Sequence, residues 1–130
     1  MKHIIINIYR IVLSIAAFLW CMEMGAQSPA VQKATKSVFT LTTFKDDGSL
    51  IASSHGVFVG NNGEAVSSWT PFVGADSAVV IDANGHKMTV DVMIGTNEIY
   101  DICKFRVKGK TTAAKIAATP ATANSKVWLL

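Results

Sequence analysis

Two histidines, His55 and His86, lie beyond the first thirty residues, and each carries the one side chain whose ordinary titration range lies near neutral pH, which suits a general base. His55 sits in an extended, glycine-bearing run, Ser54-His55-Gly56-Val57-Phe58-Val59, and His86 follows an Asn84-Gly85 turn. A metal site would need a further ligand. Cys103 is flanked by Ile102 and Phe105, where a thiol reads as a small core hydrophobe. Both histidines are therefore expected at the surface. Ser67 and Ser68 could be nucleophiles, but no base accompanies them, and no Gly-x-Ser-x-Gly elbow occurs. Asp101 has two readings: a carboxylate that orients a base, or a cap for the turn before the next strand. The chain holds no phosphate-binding glycine loop, dinucleotide motif or zinc-type spacing, so neither a cofactor site nor a metal site is expected.

These residues need a scaffold, and its size is bounded. The 130 residues are 50% hydrophobic and 16% charged, with a net charge of +3. Length allows one small domain, and composition excludes a disordered chain. The hydrophobicity is concentrated at the start. Met1-Lys2-His3 and Arg10 precede the apolar run Ile11-Val12-Leu13-Ser14-Ile15-Ala16-Ala17-Phe18-Leu19-Trp20, and Gly25-Ala26 offers a small-residue exit. That order predicts a secretory signal peptide over residues 1–26 and export to the periplasm or outside the cell. The uncharged stretch from Ile11 to Glu23 is short for a spanning helix. Membrane attachment is expected only through an uncleaved leader or, as a less favoured route, lipidation at Cys21, where Trp20 fills a position that normally holds a small residue. Residues 27–130 retain Cys103 as their sole cysteine, so no internal disulfide is expected. Their net charge falls to +2, and Lys104, Arg106, Lys108 and Lys110 alternate as the solvated face of a strand. A nucleic-acid partner is not expected.

From Lys33 onward the pattern has period two, broken by turn residues about every ten positions, which predicts an all-β barrel or sandwich. Strands are expected over 37–44, 50–60, 64–69, 77–81, 87–95 and 102–107, with no helix longer than one turn. Asp46-Asp47-Gly48, Asn61-Asn62-Gly63 and Asp82-Ala83-Asn84-Gly85 supply turns. Thr70 to Asp76 interrupts the strands with room for one helical turn. Trp69, Pro71 and Phe72 there are read as aromatic and proline packing that closes the barrel end, with an apolar peptide-contact patch as the alternative. Ala113 to Asn124 reads as a linker, and Lys126-Val127-Trp128-Leu129-Leu130 as the opening of another strand.

The order of these motifs resembles the first barrel of trypsin-like serine proteases of the HtrA type. Ser54 to Val59 is similar to that family's Gly-x-Gly-hydrophobic strand. Asn61 to Asp76 is similar to the segment that carries the catalytic histidine, Ser77 to Gly85 to the strand after it, and Asn97 to Val107 to the acidic loop that carries the triad aspartate. The resemblance implies a six-stranded antiparallel barrel over 35–112, preceded by a signal helix (1–26) and an N-terminal extension (27–34). It is followed by a linker and the start of a truncated second barrel (113–130). In that alignment Asp101 matches the triad aspartate and Thr70 occupies the triad histidine position. Threonine cannot take a nucleophile's proton near neutral pH and return it to a leaving amine. The nucleophile, oxyanion amides and specificity pocket of the family belong to the second barrel. The expectation is an exported, catalytically inactive homologue with no catalytic residue of its own, and a peptide or protein as its partner. Two alternatives remain at this point: the front piece of a longer secreted endopeptidase, and an unrelated small β-barrel binding module.

Overall fold

Alternation in Val38–Phe44 (β1) drives three side chains, Phe39, Leu41 and Thr43, to one face, and all three are buried. The same period governs Ile102–Val107 (β6), where Cys103, Phe105 and Val107 point inward while Ile102, Lys104 and Arg106 face solvent. Between them run Leu50–Phe58 (β2), Glu64–Ser67 (β3), Ser77–Asp82 (β4) and Lys87–Asn97 (β5). In the computed structural model, which describes residues 2–23 and 28–127, the six strands close into an antiparallel barrel in the order β1-β2-β3-β6-β5-β4. β1 completes the ring by pairing with β2 on one side and β4 on the other. β5 is the longest strand, and its two irregularities, at Val90/Val92 and Met93/Gly95, bend it around the barrel.

The core is an aromatic column. Phe39 packs on Phe58 with ring centroids 4.7 Å apart and meets Phe105 edge-on at 5.9 Å. Phe105 in turn meets Phe72 at 5.3 Å, and Phe72 stacks on Trp69 at 6.2 Å. Leu41, Ala65, Ala78, Val80, Met88, Cys103 and Val107 fill the space around it. Thr70–Phe72 forms a single 3-10 turn after β3, as room for one helical turn predicted. It is pinned from inside: the buried Thr43 hydroxyl donates to the Pro71 carbonyl at 2.6 Å. Trp69 and Phe72 pack against the core and Pro71 is buried, so the packing reading of these three holds and the contact-patch reading does not.

Two helices precede the barrel. Lys2–Glu23 (α1) leaves its apolar side chains from Ile4 to Ile15 between 54% and 70% exposed. Among the described residues no helix is long and apolar enough to cross a membrane. Pro29–Thr35 (α2) corrects the expectation that no helix beyond α1 exceeds one turn. Its start was readable: the Ser28 hydroxyl accepts from Val31 N, and Pro29 takes the first turn, where its missing N–H costs nothing. Val31 is the residue it buries. The proposed exit at Gly25-Ala26 and the apolar end Trp128-Leu129-Leu130 lie outside the described residues, as do the surroundings of the Cys21 side chain. Lys126 and Val127 are irregular chain.

Candidate functional site

The loop between β5 and β6 has to reverse direction and deliver Asp101 at the head of β6. Asn97 makes the turn, its Oδ1 accepting from Tyr100 N at 3.1 Å. Asp101 then adopts φ 52°, the left-handed region that aspartate tolerates better than most residues. This backbone turns the Asp101 carboxylate across to the 3-10 turn on the far side of β3. There Oδ1 accepts from Thr70 N at 2.6 Å and from Thr70 Oγ1 at 2.8 Å, while Trp69 N donates to the Asp101 carbonyl at 3.4 Å. Thr70 and Asp101 are 31 positions apart and both exposed, and the barrel brings them into direct contact.

The contact corrects one reading of Asp101. It does not cap the turn before its own strand, because Asn97 does that. It caps the first free N–H of the 3-10 turn. The hydroxyl and amide of Thr70 hold the Asp101 carboxyl below its ordinary value of 3.8. A depressed carboxylate contributes stability above pH 3.8 that is lost as pH falls through its lower folded value. In carbon-detected NMR the Asp101 carboxyl is expected to titrate below 3.8. Thr70→Val, which removes the hydroxyl but keeps the amide, is expected to move that midpoint part of the way back. An unchanged midpoint would show that the hydroxyl does not act on the charge.

The other candidates do not join this pair. His55 is exposed on β2, opposite Thr40 in the sheet. His86 is exposed on the β4–β5 turn, with Nδ1 3.1 Å from Asp82 Oδ2. Asp82 also accepts from the backbone N–H groups of Asn84 and His86, which closes the turn. Cys103 is buried, with Sγ 3.5 and 3.4 Å from the carbonyls of Ser67 and Ser68, and burial pushes its thiol up. Ser67 is buried too, and its hydroxyl is committed to the Ser68 carbonyl at 3.0 Å. Neither serine has a base among the described residues within reach of a hydrogen bond. Among the described residues no three His, Cys, Asp or Glu side chains gather as a metal cluster would require. On the outer face of β6 Lys104 pairs with Glu64, and just past the end of β6 Lys108 pairs with Asp91, so the basic alternation is interrupted by acids.

Two further features surround the pair. Ile99 and Tyr100, immediately before Asp101, are 90% and 80% exposed, and Val73, just after the 3-10 turn, is exposed as well. A groove of about 270 Å³ lined by Val66, Asn97, Ile102 and Lys104 runs beside the same loop.

The second feature is a seam in the barrel wall. β3 pairs with β2 only over Gly56 to Phe58, so Leu50 to His55 have a strand partner on the β1 side alone. The bond from Phe58 N to Ser37 O at 2.8 Å sets the phase of that ladder. By antiparallel alternation Ser53 and His55 turn their backbone groups away from β1, toward the side where β3 has ended and the 3-10 turn packs against β2. Sequence reading missed this seam, whose signal is the disparity between a nine-residue β2 and a four-residue β3.

No family model matches the chain, and no curated protein matches it.

Proposed function

We propose that this chain is an exported homologue of the trypsin-like serine proteases that carries the first barrel, does not catalyse, and binds peptide or protein segments. The observation that carries the reading is the Thr70–Asp101 contact. A threonine hydroxyl donates to an aspartate across 31 residues where the resemblance puts an imidazole. The carboxylate keeps the orienting geometry, and the group it orients cannot act as a base near neutral pH. Export rests on the basic start and apolar run of residues 1–20, an arrangement that suits a leader removed after Ala26.

The binding role is supported by the seam at Ser53 and His55. Unpaired strand edges accept an extended peptide by adding main-chain hydrogen bonds. Val73, Ile99 and Tyr100 add apolar contact near the Thr70–Asp101 pair.

The test uses the full chain with fluorescently labelled, unfolded casein. Saturable binding by anisotropy without hydrolysis is the expected result. Ser53→Pro, which removes an edge N–H at a position where proline is tolerated, is expected to weaken that binding. Thr70→His is expected to remain without turnover, since an imidazole alone supplies no nucleophile. Turnover that stops with a serine-directed covalent inhibitor would overturn the inactive reading, and binding unaltered by Ser53→Pro would remove the seam from it.

A further inference from the structure

Between α2 and the chain that leaves the barrel lies a cavity of about 400 Å³, within the size range of small-molecule sites. Its walls are methyl groups, from Ala30 and Ala34 on the helix and Ala113 and Ala114 opposite. Both walls are held in place. On one side Val31 is buried and Ser37 N donates to the Ala34 carbonyl at 3.0 Å. On the other, Ala114 N donates to the Phe58 carbonyl at 2.8 Å and Ala113 N to Asn61 Oδ1 at 3.1 Å.

Three polar groups complete the lining. Ser37 is 2% exposed, and its backbone is fixed at both N–H and carbonyl. Yet no side-chain hydrogen bond among the described residues occupies its hydroxyl. No buried side-chain oxygen among the described residues lacks a partner, so this hydroxyl meets the solvent of the cavity and is free to donate to a ligand oxygen in its place. Lys33, in the last turn of α2, and Lys115, on the departing chain, line the same space. Neither forms an ion pair with a described acid; the three ion pairs among the described residues use other side chains.

The geometry points to a binding site for a carboxylate on a short aliphatic stem. Its oxygens accept from the two ammonium groups and the Ser37 hydroxyl, and the stem lies against the four alanine methyls. Inorganic phosphate would engage the lysines but leave the apolar walls without contact. Two sources present this chemistry, a free short-chain acid and the C-terminus of a peptide ending in a small residue. The site stands on its own, apart from the Thr70–Asp101 pair and from the proposed role of the barrel.

The experiment is a titration of the full chain, isotopically labelled, followed by amide NMR. The probes are butyrate, N-acetyl-Ala-Ala with a free carboxylate, inorganic phosphate, and butyramide as the neutral analogue. The amides of Ala34, Ser37 and Ala114 are expected to shift saturably with the acids and not with butyramide. Tighter binding of butyrate assigns a free acid, and tighter binding of the dipeptide assigns a chain terminus. The double substitution Lys33→Gln with Lys115→Gln, at exposed positions, is expected to weaken binding by about tenfold or more, the loss of two charge-assisted contacts. Ser37→Ala is expected to weaken it as well, with unaltered dispersion elsewhere in the spectrum as the check on folding. The proposal is overturned by an absence of saturable shifts, by butyramide binding as tightly as butyrate, by phosphate doing the same, or by a double variant that binds unchanged.

Discussion

Phe105→Ala is expected to lower the unfolding free energy by about 3–5 kcal/mol, the usual cost of emptying a buried aromatic site. The ring is 0% exposed and stands between Phe39 and Phe72, with both neighbours at edge-on angles. Such pairs add about 0.5–1.5 kcal/mol each beyond the area they bury. Because the aromatic column runs through Phe105, its removal also loosens Phe72 and the 3-10 turn that carries Thr70. Small domains are stable by only about 5–15 kcal/mol, so the variant should be close to unfolding at room temperature. Urea denaturation followed by tryptophan fluorescence checks this, with Arg106→Ala, one residue along and facing solvent, as the control. Phe105→Leu, which keeps most of the volume, is expected to cost less than about 1.5 kcal/mol. Equal effects of Phe105→Ala and Arg106→Ala would mean that the column does not hold the barrel together.

Gly56→Ala is the second large effect, expected at about 3 kcal/mol from overpacking. Gly56 is buried on β2 under the ring of Phe39, and any Cβ there would overlap the ring edge and come within 2.6 Å of the Val66 carbonyl oxygen. Its backbone needs no glycine-only angle; the need is purely for space. A double-mutant cycle separates the two obstacles. Phe39→Leu should relieve the ring overlap, and the strain against the Val66 carbonyl should remain, so rescue is expected to be partial. Gly95→Ala on β5, where a new Cβ meets nothing within 4 Å, is expected to stay within about 0.5 kcal/mol of the parent. If Gly56→Ala matches Gly95→Ala, the close approach of Phe39 to β2 is wrong.

Much of the scaffold was legible because its signals are local. Residues alternating in Val38–Phe44 and Ile102–Val107 must put one set inside, and Asn61-Asn62-Gly63 must turn. Gly63 adopts φ 92°, and its N–H and carbonyl tie the turn to Thr111 and Val107. α2 was missed although Ser28-Pro29 announces a helix start, since seven residues carry too little periodicity to compete with the surrounding strand pattern. The role of Asp101 was half legible. An aspartate before a strand is expected to accept backbone hydrogen bonds, but the donor proved to lie on the 3-10 turn and not in its own loop. Asn97, which shapes that loop, carries no signal beyond being an asparagine near a turn.

The sequence by itself determined a six-stranded β domain, because strand alternation and turn residues are local signals. It also determined that Thr70 brings no imidazole to the end of β3, a matter of composition that no folding can change. Only the tertiary structure decided that Thr70 and Asp101 touch, that β2 outruns β3 and leaves Ser53 and His55 without a strand partner on that side, and that Ser37 lines a cavity shared with Lys33 and Lys115. Each of these joins segments far apart in the chain or depends on how far one strand extends past another. Such relations are set by barrel closure and strand register, which no local pattern of residues encodes.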